Sequence, residues 1–290
     1  MLTLTLMSTT SCSQREKEDV LIVSIEPQRA ILEEIVGDKY EVISLLTPGS
    51  NPETFEPGMN ARKKLETAQA FFSTGLLPFE ERIVESLADG YTVIDTSQGI
   101  ELLYGTHGHS HDSDHKGPSA HGKHSHSRHT DADPHVWTSV KNAMIMAENM
   151  YNAITRIDTE NVSYYTERYN RLIQRLDSLD RDFATRLGSN AAPVKSFAIW
   201  HPSLSYLSRD YNLEQIAVGY ENKEMPASTL KKIIDEVRQD SVKVFFFQKE
   251  FDSRQAQTLN QEMQTELITI NPLDYEWEKQ LDGIVSALCR

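Results

Sequence analysis

"DVLIVSIEPQRAILEEIVGDKYEVISLL", residues 19–46, carries the reading that sets the architecture. Residues 19–25 form a short apolar run rich in β-branched side chains, which reads as a buried strand. Over "PQRAILEEIVGDK" the apolar spacing changes. Ile31, Ile35 and Val36 share one side of a helix, and Gly37 stops it. "YEVISLL" (40–46) returns to strand character. Strand, helix and strand in this order build a parallel sheet flanked by helices.

The alternation continues outward. After the loop "TPGSNPETFEPGMN", dense in Pro, Gly and Asn, come a helix in "ARKKLETAQ", a strand in "AFFSTG", a helix in "PFEERIVESLA" and a strand in "YTVIDTS". Residues 140–187 contain no Pro or Gly and are rich in helix formers. They predict two helices with a break near Asp158-Thr159, where Thr159 can cap the second. That second helix is long enough to serve as a rigid connector. The alternation then resumes: strands in "KSFAIWH", "LEQIAVGY", "VKVFFFQ" and "ELITINPL", and helices in "PSLSYLSRDYN", "ASTLKKIIDEVRQD", "SRQAQTLNQEM" and "DYEWEKQLDGIVSALCR". The expected fold is therefore α/β. Two similar lobes (20–137 and 189–290), each a parallel sheet flanked by helices, are joined by a long rigid helix within 138–188.

Composition narrows the function. A hydrophobic fraction of 39% and a charged fraction of 25% fit a soluble globular chain. The formal charge of −14 opposes binding to nucleic acid or anionic lipid through a general field, and suits a cation as partner. No stretch approaches the roughly 18 apolar residues of a membrane span. The leader "MLTLTLMSTTSCSQREKEDV" reads as the end of a lipoprotein signal peptide, with Cys12 as the lipid-bearing residue and 13–19 as a tether, which would anchor the chain to a membrane. The second cysteine, Cys289, is too distant for the two to form a cysteine-based zinc site, and acylation of Cys12 would rule out a disulfide.

Nine of the ten histidines fall within 106–137. Eight of them (His107, His109, His111, His115, His121, His124, His126 and His129) lie in a low-complexity run that cannot build a core and reads as a surface loop, 106–130. Spacings such as His107-x-His109-x-His111 let neutral imidazoles chelate an ion weakly, without fixed supporting partners.

In an open α/β sheet, ligands bind beyond the carboxyl ends of the strands. Four residues near such ends are candidates. Glu53 lies in the loop after strand 40–46, and could equally be a solvated loop glutamate. His135, in "DADPHVW", follows a stiffening Pro134. His201 ends the apolar strand "SFAIW" and precedes Pro202, where a satisfied core histidine is the alternative. Asn271 ends "LITI", where it could simply cap the last helix. Imidazole with carboxylate suits Zn²⁺ or another borderline first-row ion.

At these residues the chain resembles the zinc/manganese substrate-binding lipoproteins of bacterial ABC importers, most closely the zinc-uptake branch. The resemblance is carried by "LLTPGSNPETFEPGMNARKKLETAQAFFSTGLLPFE", "DPHVWTSVKNAMIMAENM", "FAIWHPSLSYLSRDYNLEQIAVGY", "VKVFFFQKEFDSRQAQTLNQEM" and "ITINPLDYEWEKQLDGIVSAL". It implies His135 and His201 as metal ligands. It places Glu53 where the family usually has His, and Asn271 where it often has Asp in an Asp-Pro-Leu context. Asp274, Glu221 or water could then fill the fourth place. The resemblance further implies an extracytoplasmic receptor that captures Zn²⁺ (Mn²⁺ or iron as alternatives) between its lobes and passes it to a permease driven by a cytoplasmic ATPase, without catalysis. Two other classes stay open: a His-rich metal-buffering or adhesion surface protein, and a two-His-one-carboxylate metalloenzyme, which would need a general base and a substrate cleft.

Overall fold

Val20–Val23 (β1) is buried along its whole length, as an unbroken apolar run requires of a strand covered on both faces. The structure is a computed structural model that describes residues 19–105, 132–188, 195–219, 226–251 and 253–290. Around β1 the first lobe adds α1 (Glu26–Val36), β2 (Glu41–Ser44), α2 (Met59–Thr67), β3 (Ala70–Ser73), α3 (Pro78–Ser86) and β4 (Val93–Asp95). All pairings are parallel, in the order β2-β1-β3-β4. Helix α1 ends at Gly37, whose φ of +59° favours glycine; a Cβ there would lie 2.1 Å from the Tyr164 hydroxyl oxygen. Glu80, in the first turn of α3, is fully buried. Its carboxylate accepts hydrogen bonds from the backbone N–H groups of Thr74, Leu76 and Leu77 at 2.7–3.0 Å and from the hydroxyls of Thr74 and Ser24. A buried charge is tolerable when it is this well satisfied, and here it ties the end of β1 to the β3–α3 turn.

The second lobe repeats the plan. It comprises β5 (Ser196–Ile199), α6 (Ser205–Tyr211), β6 (Glu214–Ala217), α7 (Ala227–Gln239), β7 (Val244–Gln248), α8 (Ser253–Met263), β8 (Glu266–Ile270) and α9 (Trp277–Leu288). Its sheet is again parallel, in the order β6-β5-β7-β8. Each sheet thus has its first and third strands at the centre and its second and fourth at the edges.

Between the lobes run α4 (Val140–Ile157) and α5 (Val162–Gly188). The side chain of Ser139 caps α4 by accepting from Asn142 N–H. The break falls where the residues predict it, but Asp158 and not Thr159 makes it. The Asp158 carboxylate accepts from the backbone N–H groups of Glu160 and Asn161, from Asn161 Nδ2 and from the Tyr165 hydroxyl. Asp offers two oxygens to those donors and Thr only one. Helix α4 packs on α1 and β4, so it belongs to the first lobe; α5 touches α1 on one side and α6 and α9 on the other, so it alone is the connector. Its buried residues Tyr165, Leu172, Leu176 and Phe183 form one stripe. That stripe joins Leu21 and Phe72 of the first lobe to Phe197, Phe246 and Leu281 of the second in a single apolar core. At its surface, Arg175 donates to Glu34 of α1 and to Glu278 of α9 at once. Continuous packing along its length makes the connector stiff.

Candidate metal centre

His135 is held from several directions. Tyr104 and Ala132 form an antiparallel bridge. Asp133 N–H then donates to Leu103 C=O at 2.8 Å, and the Tyr206 hydroxyl of the second lobe donates to Asp133 C=O at 2.7 Å. Pro134 leads into a single 3₁₀ turn, Val136–Thr138. Trp137 Nε1 donates to Pro272 C=O at 3.0 Å, again across the lobes. The Asp133 carboxylate accepts from His135 N–H at 2.9 Å and pairs with its Nδ1 at 2.8 Å. With Nδ1 carrying its proton towards Asp133, Nε2 becomes the ligating nitrogen of the neutral ring.

This pair is deeply buried, with the Asp133 side chain at 0% and the His135 side chain at 4% exposure. Burial by itself pushes the Asp133 carboxyl up, but the His135 imidazole and its hydrogen bonds outweigh burial and hold it well below the usual carboxylate range. Burial pushes the His135 imidazole down, and here Asp133 outweighs it, so its pKa is raised above the ordinary value. The two directions agree with an ion pair.

His201 sits two residues past β5. The β5–β7 register pairs Ile199 with Phe246, so His201 falls beside Gln248. Gln248 is fully buried and spends its whole amide on this loop. Its Oε1 accepts from His201 N–H at 3.1 Å, and its Nε2 donates to His201 C=O and, at 2.8 Å, to Ser203 Oγ. Glu53 lies on the loop after β2. Its N–H donates to Asn51 Oδ1 at 2.8 Å, and the loop is pinned two residues on, where Phe55 packs edge-on against Phe79 at 5.1 Å between ring centres.

The fold brings these three together. Glu53 Oε1 is 3.2 Å from His201 Nε2, and the His135 and His201 rings meet edge to face at 5.1 Å. One donor atom from each of Glu53, His135 and His201 lies within 4.8 Å of the others. They line a cavity of about 10 Å³, completed by Asn51, Pro52, Trp137, Ser203, Glu250, Phe251, Pro272 and Leu273. That is room for one water-sized particle, which suits an ion.

Asn271 is not part of this group. Its Nδ2 donates to Asp274 Oδ2 at 2.9 Å and its N–H to Gln280 Oε1 at 3.1 Å, so it caps the turn before α9. Asn271 and Asp274 line a separate, wider cleft of about 470 Å³ with Glu26, Arg29, Lys249 and Tyr275. The end of β8 nevertheless reaches the site, because the next two residues, Pro272 and Leu273, line the ion cavity while Asn271 itself lines the wider cleft. Glu221, Cys12 and the eight histidines of 107–129 lie outside the described residues. The residue that sequence reading overlooked is Glu250. It stands two positions past β7, as His201 stands two past β5, so the same strand-end rule could have found it; beside Lys249 it reads as an ordinary polar turn.

A family model described as zinc-uptake complex component A, periplasmic, matches residues 21–284. The chain belongs to this family. Similar to it are the zinc-binding protein AdcA of Streptococcus pyogenes serotype M3, 27% identical over 271 residues that make up 90% of this chain and 52% of the relative, and a putative metal-binding protein of Treponema pallidum, 24% identical over 91% of this chain and 81% of the relative. The chain thus spans about half the length of the streptococcal relatives it matches. Among solved structures, ZnuA superposes with a TM-score of 0.79 at 26% identity, covering 93% of this chain and 97% of that one; a ZnuA deletion mutant with zinc bound superposes equally well, at 96% of its own length. These likenesses extend over both lobes and the connector, so the two-lobed α/β fold is a family property.

Proposed function

We propose that this chain is an extracytoplasmic receptor for Zn²⁺, which it captures between its lobes at Glu53, His135 and His201 and delivers to the permease of an ABC importer driven by a cytoplasmic ATPase. The observation that carries the reading is the meeting of those three donors, from segments far apart in the chain, around a cavity the size of an ion. Two imidazoles and a carboxylate match the donor preference of zinc. Asp133 holds the His135 ring from behind, the arrangement that orients metal-binding histidines, and Gln248 fixes the backbone that carries His201. Family membership and the zinc-bound ZnuA relative point the same way.

The stiff connector allows closure only by small shifts of the loops and lobes around the site. Among the described residues no helix is long and apolar enough to cross a membrane; attachment is assigned to a lipid on Cys12. The segment 106–130, whose ends meet at the Tyr104–Ala132 bridge three residues before His135, serves as an accessory captor of lower affinity. No catalytic step is assigned; the matched family is a zinc-uptake component.

The test is zinc calorimetry on three forms of the chain. Spread over four ligands, the roughly 10–16 kcal/mol of a zinc site gives about 3 kcal/mol each, or about 100-fold in affinity per ligand. The His135→Ala/His201→Ala double variant should therefore lose tight binding altogether. Deleting 106–130 should remove weak binding and keep one tight site. Tight binding by the double variant, or its loss on deletion of 106–130, overturns the assignment. Competition between Zn²⁺ and Mn²⁺ on the parent chain then decides which ion is the cargo.

A further inference from the structure

Three donors leave a zinc ion one short of the four it takes in a closed site. They also leave a charge. Two neutral imidazoles and the Glu53 carboxylate leave the ligand shell at a net +1, opposed only from behind His135 by Asp133, inside a cavity whose other walls include Trp137, Phe251 and Leu273. A net charge in direct contact with such walls is costly. Asn271 adds no charge to offset this, and its Nδ2 is engaged with Asp274.

Glu250 lies on the wall of the same cavity. The turn that carries it is fixed on three sides. Lys249 N–H donates to Ile270 C=O at 3.0 Å, Phe251 N–H donates to Gln248 C=O at 3.2 Å, and the Phe251 ring lies 5.6 Å from that of His201. Its neighbour two residues back, Gln248, is the residue that clamps the His201 loop. So the strand end that positions His201 also positions Glu250, at the centre of the sheet where strand order places β7 beside β5. Glu250 lines the wider cleft as well, where it stands between solvent and the ion cavity.

We propose that Glu250 supplies the fourth donor to the captured dication, replacing the carboxylate that position 271 lacks and bringing the ligand shell to zero net charge. This rests on the metal site named above. The Glu250 carboxylate stands outside the set of atoms within 4.8 Å of one another, so ligation requires its side chain to turn inward. Its environment is consistent with that role: burial pushes its carboxyl up, and the field of His201 and His135 opposes the rise while Glu53 adds to it. A nearby dication would reverse the balance and hold the group ionised.

The experiment compares Glu250→Ala, Glu250→Gln and Asn271→Ala with the parent chain, reading Zn²⁺ affinity by chelator competition and the visible absorption and X-ray absorption of the Co²⁺-loaded forms. Glu250→Ala should weaken Zn²⁺ binding about 100-fold and change the cobalt spectrum, with one carboxylate oxygen lost from the metal shell. Glu250→Gln keeps the shape and removes the charge, so it should weaken binding less than Ala while still altering the spectrum. Asn271→Ala should leave the spectrum unchanged. Parent-like affinity in Glu250→Ala overturns the proposal. So does weaker binding with an unchanged cobalt spectrum, which would make Glu250 a distant charge and no ligand. If the His135→Ala/His201→Ala variant keeps tight zinc, the site itself is misassigned; if that variant loses zinc and Glu250→Ala does not, only the fourth donor is.

Discussion

The two lobes share a strand order and use it differently. In the second lobe, His201 and Glu250 each stand two residues past a central strand, β5 and β7. In the first lobe, Glu53 and His135 follow the two edge strands, β2 and β4, at the end of long excursions. A central strand end has neighbours on both sides, and one buried amide, Gln248, is enough to hold the loop. An edge strand end lacks them, so its donors need scaffolding of their own. For His135 that scaffolding is Asp133, the 3₁₀ turn and two hydrogen bonds from or to the other lobe. For Glu53 it is Asn51 and the Phe55–Phe79 contact. The second lobe presents a preset half-site, and the first contributes an assembled half that depends on contacts elsewhere.

The sharpest way to break this comparison is to remove the polar hub of each lobe. Glu80 and Gln248 are both fully buried, one charged and one neutral. Glu80→Ala strands the Thr74, Leu76 and Leu77 N–H groups and should cost about 1–3 kcal/mol of stability for each group left unsatisfied. Because Glu80 does not touch the metal cavity, affinity in the folded fraction should stay near the parent value. Gln248→Ala should cost less stability, about 1–3 kcal/mol, yet lower zinc affinity, since it releases His201. Urea unfolding and zinc titration of both variants check the pair. Equal affinity loss in the two would mean that the lobes do not divide the work this way.

A smaller effect tests the scaffolding of His135. Replacing Asp133 by Asn keeps the shape and removes the charge that orients the ring; loss of such a supporting partner weakens metal binding by about 10–100-fold. The pH dependence has a definite sign. Asp133 raises the His135 pKa above its ordinary value of about 6.5, and only the deprotonated Nε2 can take the metal. Parent affinity should therefore begin to fall, as pH is lowered, at a pH above that of an ordinary imidazole. In the metal-free chain the same raised pKa stabilises the fold below about pH 6.5, and that contribution is lost as pH rises through the folded value. In Asp133→Asn the onset of zinc release should move to lower pH, even though affinity at pH about 8 is weaker. An unmoved onset would assign the raised pKa to another group.

Much of this was legible in the residues because it is local. Apolar runs such as "VFFFQ" and stripes such as Ile31, Ile35 and Val36 place strands and helices without reference to anything distant. The loop Glu53 and the strand-end His201 could be named as candidates for the same reason. What could not be read was strand order, because nothing in a strand announces its neighbour. That order puts β7 beside His201, and with it Glu250 on the wall of the ion cavity. The Asp158 break shows the same limit at short range. Thr159 and Asp158 both qualify as caps by type, and only the positions of the Asn161 and Tyr165 donors select Asp158.

The smallest effect concerns the connector, where the two halves of the comparison are held in register. Arg175 bonds Glu34 of the first lobe and Glu278 of the second, and both raise its pKa further while half of its side chain stays exposed. Exposed ion pairs of this kind contribute about 0–1 kcal/mol, whereas the apolar stripe beneath, with Leu172, Leu176 and Phe183 almost fully buried, contributes far more through area removed from water. Arg175→Ala should therefore lower stability by at most about 1 kcal/mol, less so in high salt, and leave zinc affinity within about twofold of the parent. A loss of tenfold or more in affinity, with stability little changed, would show that the lobes are held at their working separation by the Glu34–Arg175–Glu278 bridge and not by the core of α5. The preset half-site of the second lobe would then owe part of its geometry to a surface charge on the connector, and the contrast between the lobes would weaken accordingly.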